Sequence, residues 1–393
     1  MKSTRRGVLA ALGSVALAPS LAGEAYAQTN SRADRVFATL SRRWLDRSMR
    51  LSPISATTTG DHRFDNRIDD VSAEGRARGL AFAHETLAAL QGIETGHLSR
   101  ANQVDAAMLA NALRAQIWQT ETLQSWAWNP LGYQALAGGA LYGLMAREFA
   151  PLPRRLEAAT ARMEALPRLL AQARTQLQPA RVPTPHAETY AAQNPGLKSI
   201  VADMIAPHKE ALSAGKRARF EAAIASFNVA VDEHQAWIEG TLGPGARADF
   251  RVGAEVFDTQ LGFTLQSDLS RAEIRRRADA AVQSVRAEMY RVARVALEGG
   301  DLRGGFDGAG EARFDLPSPE EQQATIRAAL DLAAADRPAR DRLVQTATDA
   351  TEEARRFIVA HDLITLPDGP VRVILMPEFQ RGVAVASCDS PGP

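Results

Sequence analysis

From residue 31 to about residue 366 the apolar side chains recur every three or four positions. That period commits most of the chain to helices that bury one stripe each. It is clearest in 271–297, where Ile274, Ala278, Ala281, Val285, Met289, Val292 and Ala296 fall on one face. Ser270 and Glu273 read as a capping box at its start, and Gly299-Gly300 as its stop. Ser318-Pro319-Glu320-Glu321 gives another start: an N-cap serine, proline in the first turn and glutamate at N3. Phe220, Ile224, Phe227, Val231 and Ile238 make a further stripe, as do Leu343, Ala347, Ala354, Phe357 and Ile358. Less regular helices are expected at 31–51, 72–91, 99–128 and 153–177. Pro179, Pro183, Pro185 and Pro195 interrupt the pattern and divide a first helical block, 31–178, from a second, 196–366.

The period changes near the C-terminal end. Residues 371–376 and 382–387 are short, β-prone runs on either side of Pro377-Glu-Phe-Gln-Arg381. Two strands alone are marginal in water, and their unpaired edges invite aggregation. The expected fold is therefore mainly α, a multi-helix body with a short, incomplete β element over 371–393.

The first 27 residues read as an export signal. Arg5-Arg6 precedes a short apolar stretch from Val8 to Ala18, and Ala25-Tyr26-Ala27 is the small-x-small pattern of a cleavage site. The arginine pair gives the signal a twin-arginine character, a receptor-read address. The apolar stretch is too short to span a bilayer. A periplasmic or secreted protein is expected, with no membrane span after cleavage. Cys388 is the only cysteine, which rules out an internal disulfide. The chain has 46 basic and 46 acidic side chains, so it lacks the basic footprint of a nucleic-acid binder.

Candidate chemistry is sparse. His84-Glu85 begins like the helix of a zinc protease, but position 88 is alanine where a second histidine one turn on would be needed. That pair reads as a solvated helix face. His234 falls within an apolar stripe and reads as a core histidine. The glycines between Gly299 and Gly310 lack the lysine and hydroxyl of a phosphate loop, and no Gly-x-Ser-x-Gly elbow is present. The acidic pairs Asp69-Asp70, Glu320-Glu321 and Glu352-Glu353 suit helix starts and exposed faces. Gly60-Asp61-His62-Arg63-Phe64-Asp65 differs, packing a histidine, an arginine and two acids outside any apolar period. Two readings stay open for it: a functional loop, or a capping turn with a satisfied histidine.

Three stretches taken together carry a resemblance. They are 53–65, Gly253-Ala-Glu-Val-Phe257 running into the following helix, and 376–386 with Ser390-Pro-Gly-Pro393. In this order they resemble the bacterial family catalogued as domain of unknown function 885. The resemblance implies a helical protein grouped with zinc metallopeptidases of the gluzincin kind. It also implies that the zinc-binding His-Glu-x-x-His-type motif of relatives lies beyond residue 393. No catalytic or metal residue carries over to this chain, and zinc is expected only in a longer relative. What the resemblance leaves here is part of a substrate groove, with Asp61, His62, Arg63, Arg381, Gly382 and Val383 as candidates. The residues from Gly382 to Ala386 would be a strand that pairs with extended peptide. The expectation is a truncated family member, inactive alone, whose partners are a peptide substrate or a separately encoded C-terminal half. The alternatives are a non-catalytic helical binding protein of the periplasm and one half of a split peptidase.

Overall fold

The computed structural model describes residues 31–299, 317–335, 337–366, 369, 371–382 and 386–388, and among them the architecture is mainly α. The signal residues Arg5, Arg6, Ala25 and Ala27 lie outside the described residues. The chain divides into two compact units, one comprising Met1–Phe263 with Pro377–Pro393 and the other Thr264–Met376.

The larger unit begins with α1 (Arg32–Leu51), capped at Ser31. The Ser31 hydroxyl accepts the Asp34 N–H, and the Asp34 carboxylate accepts the Ser31 N–H. The other Asp34 oxygen accepts from the Asn102 amide at 2.6 Å and the Ser99 N–H at 2.9 Å. One carboxylate thus ties the start of α1 to the start of α4 (Arg100–Trp118), and these bonds, Asn102 first, hold its pKa well below the usual range. With α3 (Ala73–Gln91), capped by Ser72, these helices enclose a small core around Phe37, Leu90 and Leu113. The short α2 (Pro53–Thr58) starts on proline, whose missing N–H is no loss in a first turn.

The main core is built by α5 (Pro130–Met145), α6 (Leu152–Gln176) and α9 (Ala214–Trp237). Leu141, Leu144, Leu156, Met163, Leu166, Phe220 and Phe227 are completely enclosed there. Full burial of each such side chain contributes about 1.5–3 kcal/mol. Helix α5 is apolar all round, which is why it sits at the centre rather than at the surface. The proline-rich stretch supplies α7 (Thr184–Gln193), which leads to α8 (Gly196–Ile200), and both pack within this unit. A single β-bridge, Pro183 to Ala248, is present among the described residues. α10 (Ala254–Leu265) spans the division between the units.

The smaller unit holds α11 (Arg271–Leu297), α12 (Pro319–Ala335) and α13 (Leu343–His361). Ser270 caps α11 by accepting the Glu273 N–H, and Ser318 and Glu321 form the full reciprocal box at α12. The described residues of this unit bury only Ala287, Ala293, Gln322 and Ile326.

The expected β element is corrected at 371–376, which forms no strand. A strand requires a neighbour that takes up its N–H and C=O groups, and no described segment does so. Residues 383–385 of the second β-prone run, including Val383, lie outside the described residues.

Candidate groove segments and the buried arginine that supports them

The polar loop after α2 is held by its own charges. Asp61 caps a 3-10 turn, His62–Phe64, by accepting the Arg63 N–H. The Arg63 guanidinium then bridges Asp61 and Asp46, each at 2.6 Å; it lowers the pKa of Asp61, and Arg50 with Arg63 lowers that of Asp46. His62 places Nδ1 3.1 Å from the Asp65 carboxylate and stacks on Phe149, with ring centroids 3.6 Å apart. All three candidate side chains of this loop therefore have partners within the fold.

Beneath the loop lies Arg162 of α6, fully enclosed. Its Nε donates to the Arg67 carbonyl at 2.9 Å and Nη1 to the Ala140 carbonyl at 2.8 Å. Nη2 donates to the Thr57 hydroxyl at 2.6 Å and to the Pro53 carbonyl at 3.2 Å. Thr57 passes its own proton to Asp65 at 2.7 Å. One guanidinium therefore joins α2, the 62–69 loop, α5 and α6, a task suited to arginine's rigid fork of donors. Burial pulls the Arg162 pKa down to about 10, while the charges of Asp65 and Asp69 oppose that shift. Asp69 accepts the Ile54 N–H at 3.0 Å, and burial pushes its pKa up to about 6.

The second candidate segment, Arg381 and Gly382, follows the 3-10 turn Glu378–Gln380. Phe379 is buried in a notch that exists because Gly138 and Gly196 have no side chains. A Cβ on Gly138 would run into the Phe379 ring, and one on Gly196 into the backbone of 378–379. The Gln193 amide donates to the Arg381 carbonyl at 2.7 Å, and the Ser199 hydroxyl to Glu378 at 2.8 Å. Gly382, at φ +89°, turns the chain in a conformation natural to glycine. The turn is thus locked onto α5, α7 and α8. The two candidate segments meet adjacent stripes of α5: Gly139 and Gly143 lie next to Ile54 and Thr57, while Gly138 and Tyr142 face Phe379.

A third polar cluster went unsuspected as a cluster. His234 is fully buried, with Nε2 2.6 Å from the Tyr190 hydroxyl and Nδ1 3.4 Å from Arg174 Nη1. The guanidinium can only donate, so Nδ1 must accept and Nε2–H donates to the tyrosine oxygen. Burial, with Arg174 adding to it, lowers the His234 pKa to about 3, and the ring is neutral at physiological pH. Sequence placed His234 in an apolar stripe. Its partners lie 44 and 60 residues away, and no local signal announces them.

The zinc that the family resemblance implies finds no fit in the described residues. No group of three His, Cys, Asp or Glu side chains among them could hold an ion. His84 sits 3.1 Å from Glu121, while Glu85 pairs with Arg43 and Arg47. Cys388 is exposed. No described helix is long and apolar enough to cross a membrane.

Among solved structures, the chain is similar to a protein of unknown function from Shewanella oneidensis that is described as a candidate lipoprotein. The two are 26% identical with a TM-score of 0.63, and the match covers 84% of this chain and 59% of that one. This chain thus spans well under two thirds of the length of that protein. No curated protein matches. Residues 53–393 match the family described as "Bacterial protein of unknown function (DUF885)", and the chain belongs to that family.

Proposed function

We propose that this chain is the helical, groove-forming portion of an exported zinc-metallopeptidase-like protein, without a metal centre of its own and inactive by itself. The observation that carries the reading is the unequal match, 84% of this chain against 59% of the Shewanella protein. A substantial part of that fold has no counterpart in these residues. The zinc chemistry belongs, on this reading, to polypeptide outside them, and no step of it is assigned to side chains here. What this chain contributes is position. The turn locked by Phe379, Gln193 and Ser199 fixes the backbone up to Gly382. A turn held in this way is suited to presenting a segment against which extended peptide pairs. Export rests on Arg5-Arg6 and the Ala25-Tyr26-Ala27 site, supported by the description of the Shewanella protein as a candidate lipoprotein.

The test begins with the coding DNA past codon 393 and with the purified chain lacking residues 1–27. A reading frame there that contains a His-Glu-x-x-His-type motif is expected. The isolated chain is expected to retain no stoichiometric zinc after dialysis and to cleave no peptide in a mixed library. Zinc-dependent hydrolysis by the isolated chain would overturn the reading, as would the absence of any such frame.

A further inference from the structure

The α11 stripe made of Ile274, Ala278, Ala281, Val285, Met289 and Val292 has the spacing of a core-facing surface, yet Ala278, Ala281, Val285 and Met289 are exposed and Ile274 and Val292 are only partly covered. Val285 is 50% exposed and Met289 44%. The packed side of the same helix lies elsewhere: Ala287 and Ala293 are buried, and Arg286 donates to Gln323 of α12. At 100° per residue the two sides are roughly 120° apart, so α12 leaves the stripe uncovered. The rest of the unit is similarly unfinished. No residue of α13 is buried, Phe357 on it is 56% exposed, and Val371 and Leu375 are more open still. A unit that encloses so few apolar side chains lacks the burial that offsets the entropy of ordering it. Concentrated exposure of this kind marks an interaction surface.

We propose that the α11 stripe is a seat for a second stretch of polypeptide, namely the part of the family fold that lies outside these residues. The proposal rests on the reading above. The occupant is indicated by the comparison: the Shewanella protein matches most of this chain and has a large further portion with no counterpart in it. Its chemistry follows from the stripe, which takes an apolar helix face at spacings of three and four and has no charge to offer. The 371–376 run, which forms no strand here, would be completed by the same portion.

The experiment places the same double substitution in two proteins. Val285→Glu with Met289→Glu is made in this chain, and glutamate is placed at the two aligned positions of the full-length Shewanella protein. Unfolding is followed by far-UV circular dichroism and association by light scattering. The full-length protein is expected to lose at least about 5 °C in Tm, because two carboxylates would be buried without partners. This chain is expected to change by less than about 1 °C, since exposed sites tolerate such changes. An undisturbed Shewanella protein overturns the proposal, because the stripe would then face solvent there too. Destabilisation of this chain also overturns it, because the stripe would then be covered by the chain's own residues. A dimer of this chain that the substitutions dissolve, with the Shewanella protein unaffected, would assign the stripe to a second copy instead. A destabilised Shewanella protein that binds no zinc would uphold the seat and remove the peptidase reading.

Discussion

Replacing Arg162 by methionine tests the claim that one buried guanidinium holds α2, the 62–69 loop, α5 and α6 together. Methionine keeps the apolar stem of arginine, ends about where Nε stands, and removes every donor. Four hydrogen bonds disappear, to Arg67, Ala140, Pro53 and Thr57. The carbonyls of Pro53 and Ala140 lie within helices and keep their ladder partners, so their loss is partial. A further cost is electrostatic. Asp69 is buried, and the Arg162 charge is the one cation that lowers its pKa against burial. Among the described residues Arg162 is within ion-pair distance of neither Asp65 nor Asp69, so the unmet acceptors and the weakened field at the two acids together are expected to cost about 2–4 kcal/mol. All five tryptophans, Trp44, Trp118, Trp126, Trp128 and Trp237, lie in the larger unit, so urea unfolding followed by tryptophan fluorescence reports on it alone. The cause is isolated by adding Asp69→Asn, which removes the stranded charge while keeping an oxygen for the Ile54 N–H. The double variant should recover at least about 1 kcal/mol relative to Arg162→Met, a coupling that distant sites do not show. A loss below about 1 kcal/mol in the single variant, or no recovery in the double, would refute the reasoning.

Other consequences are open to simpler assays. Gly138→Ala drives a methyl group into the Phe379 ring, so the turn should undock. Faster hydrogen exchange over 378–382 and new proteolysis there are expected, with little change in urea midpoint, and unchanged exchange would count against the notch. Acid should act through His234: its folded pKa, near 3, lies below the unfolded value of 6.5, so the neutral ring's contribution is present above 6.5 and is lost as pH falls. Asp69 works oppositely, because its folded pKa, near 6, exceeds the ordinary value of 3.8 and favours the folded state as pH falls from 6 toward 4. The two slopes oppose each other between pH 6 and 4, so Asp69→Asn should steepen acid destabilisation by up to about 1.4 kcal/mol per pH unit there. Identical pH profiles for the variant and the parent would show that Asp69 does not titrate as described.

The starts plainest in the sequence, Ser270 and Ser318, are used by the structure. The less regular helices expected from 31, 72 and 99 are also capped by serines, Ser31, Ser72 and Ser99. Helix α5 was not legible, because even its exposed positions, Gly132 and Ala135, are not polar, so no polar face sets a period. Its Gly138, Gly139 and Gly143 look like loop residues until Ile54, Thr57 and Phe379 are seen against them. Arg162 was equally silent. It stands in α6 among other arginines and acids, and nothing local separates it from Arg154, whose side chain is exposed. The Asp61–Arg63 loop could be located but not interpreted, since Asp46 and Phe149, which hold it, come from distant parts of the chain.

The α11 stripe adds a different limit. Periodicity records that a helix face evolved against an apolar neighbour, because random polar substitution there would otherwise have erased it. It does not record which polypeptide supplies that neighbour. In α9 the stripe of Phe220, Phe227 and Val231 is buried against α6, so period and burial agree. In α11 an equally regular stripe remains half exposed, so period and burial disagree. The same signal therefore has two physical meanings, and the mismatch in α11 is itself informative. Under the proposal above, that surface is where the further portion of the Shewanella fold would pack.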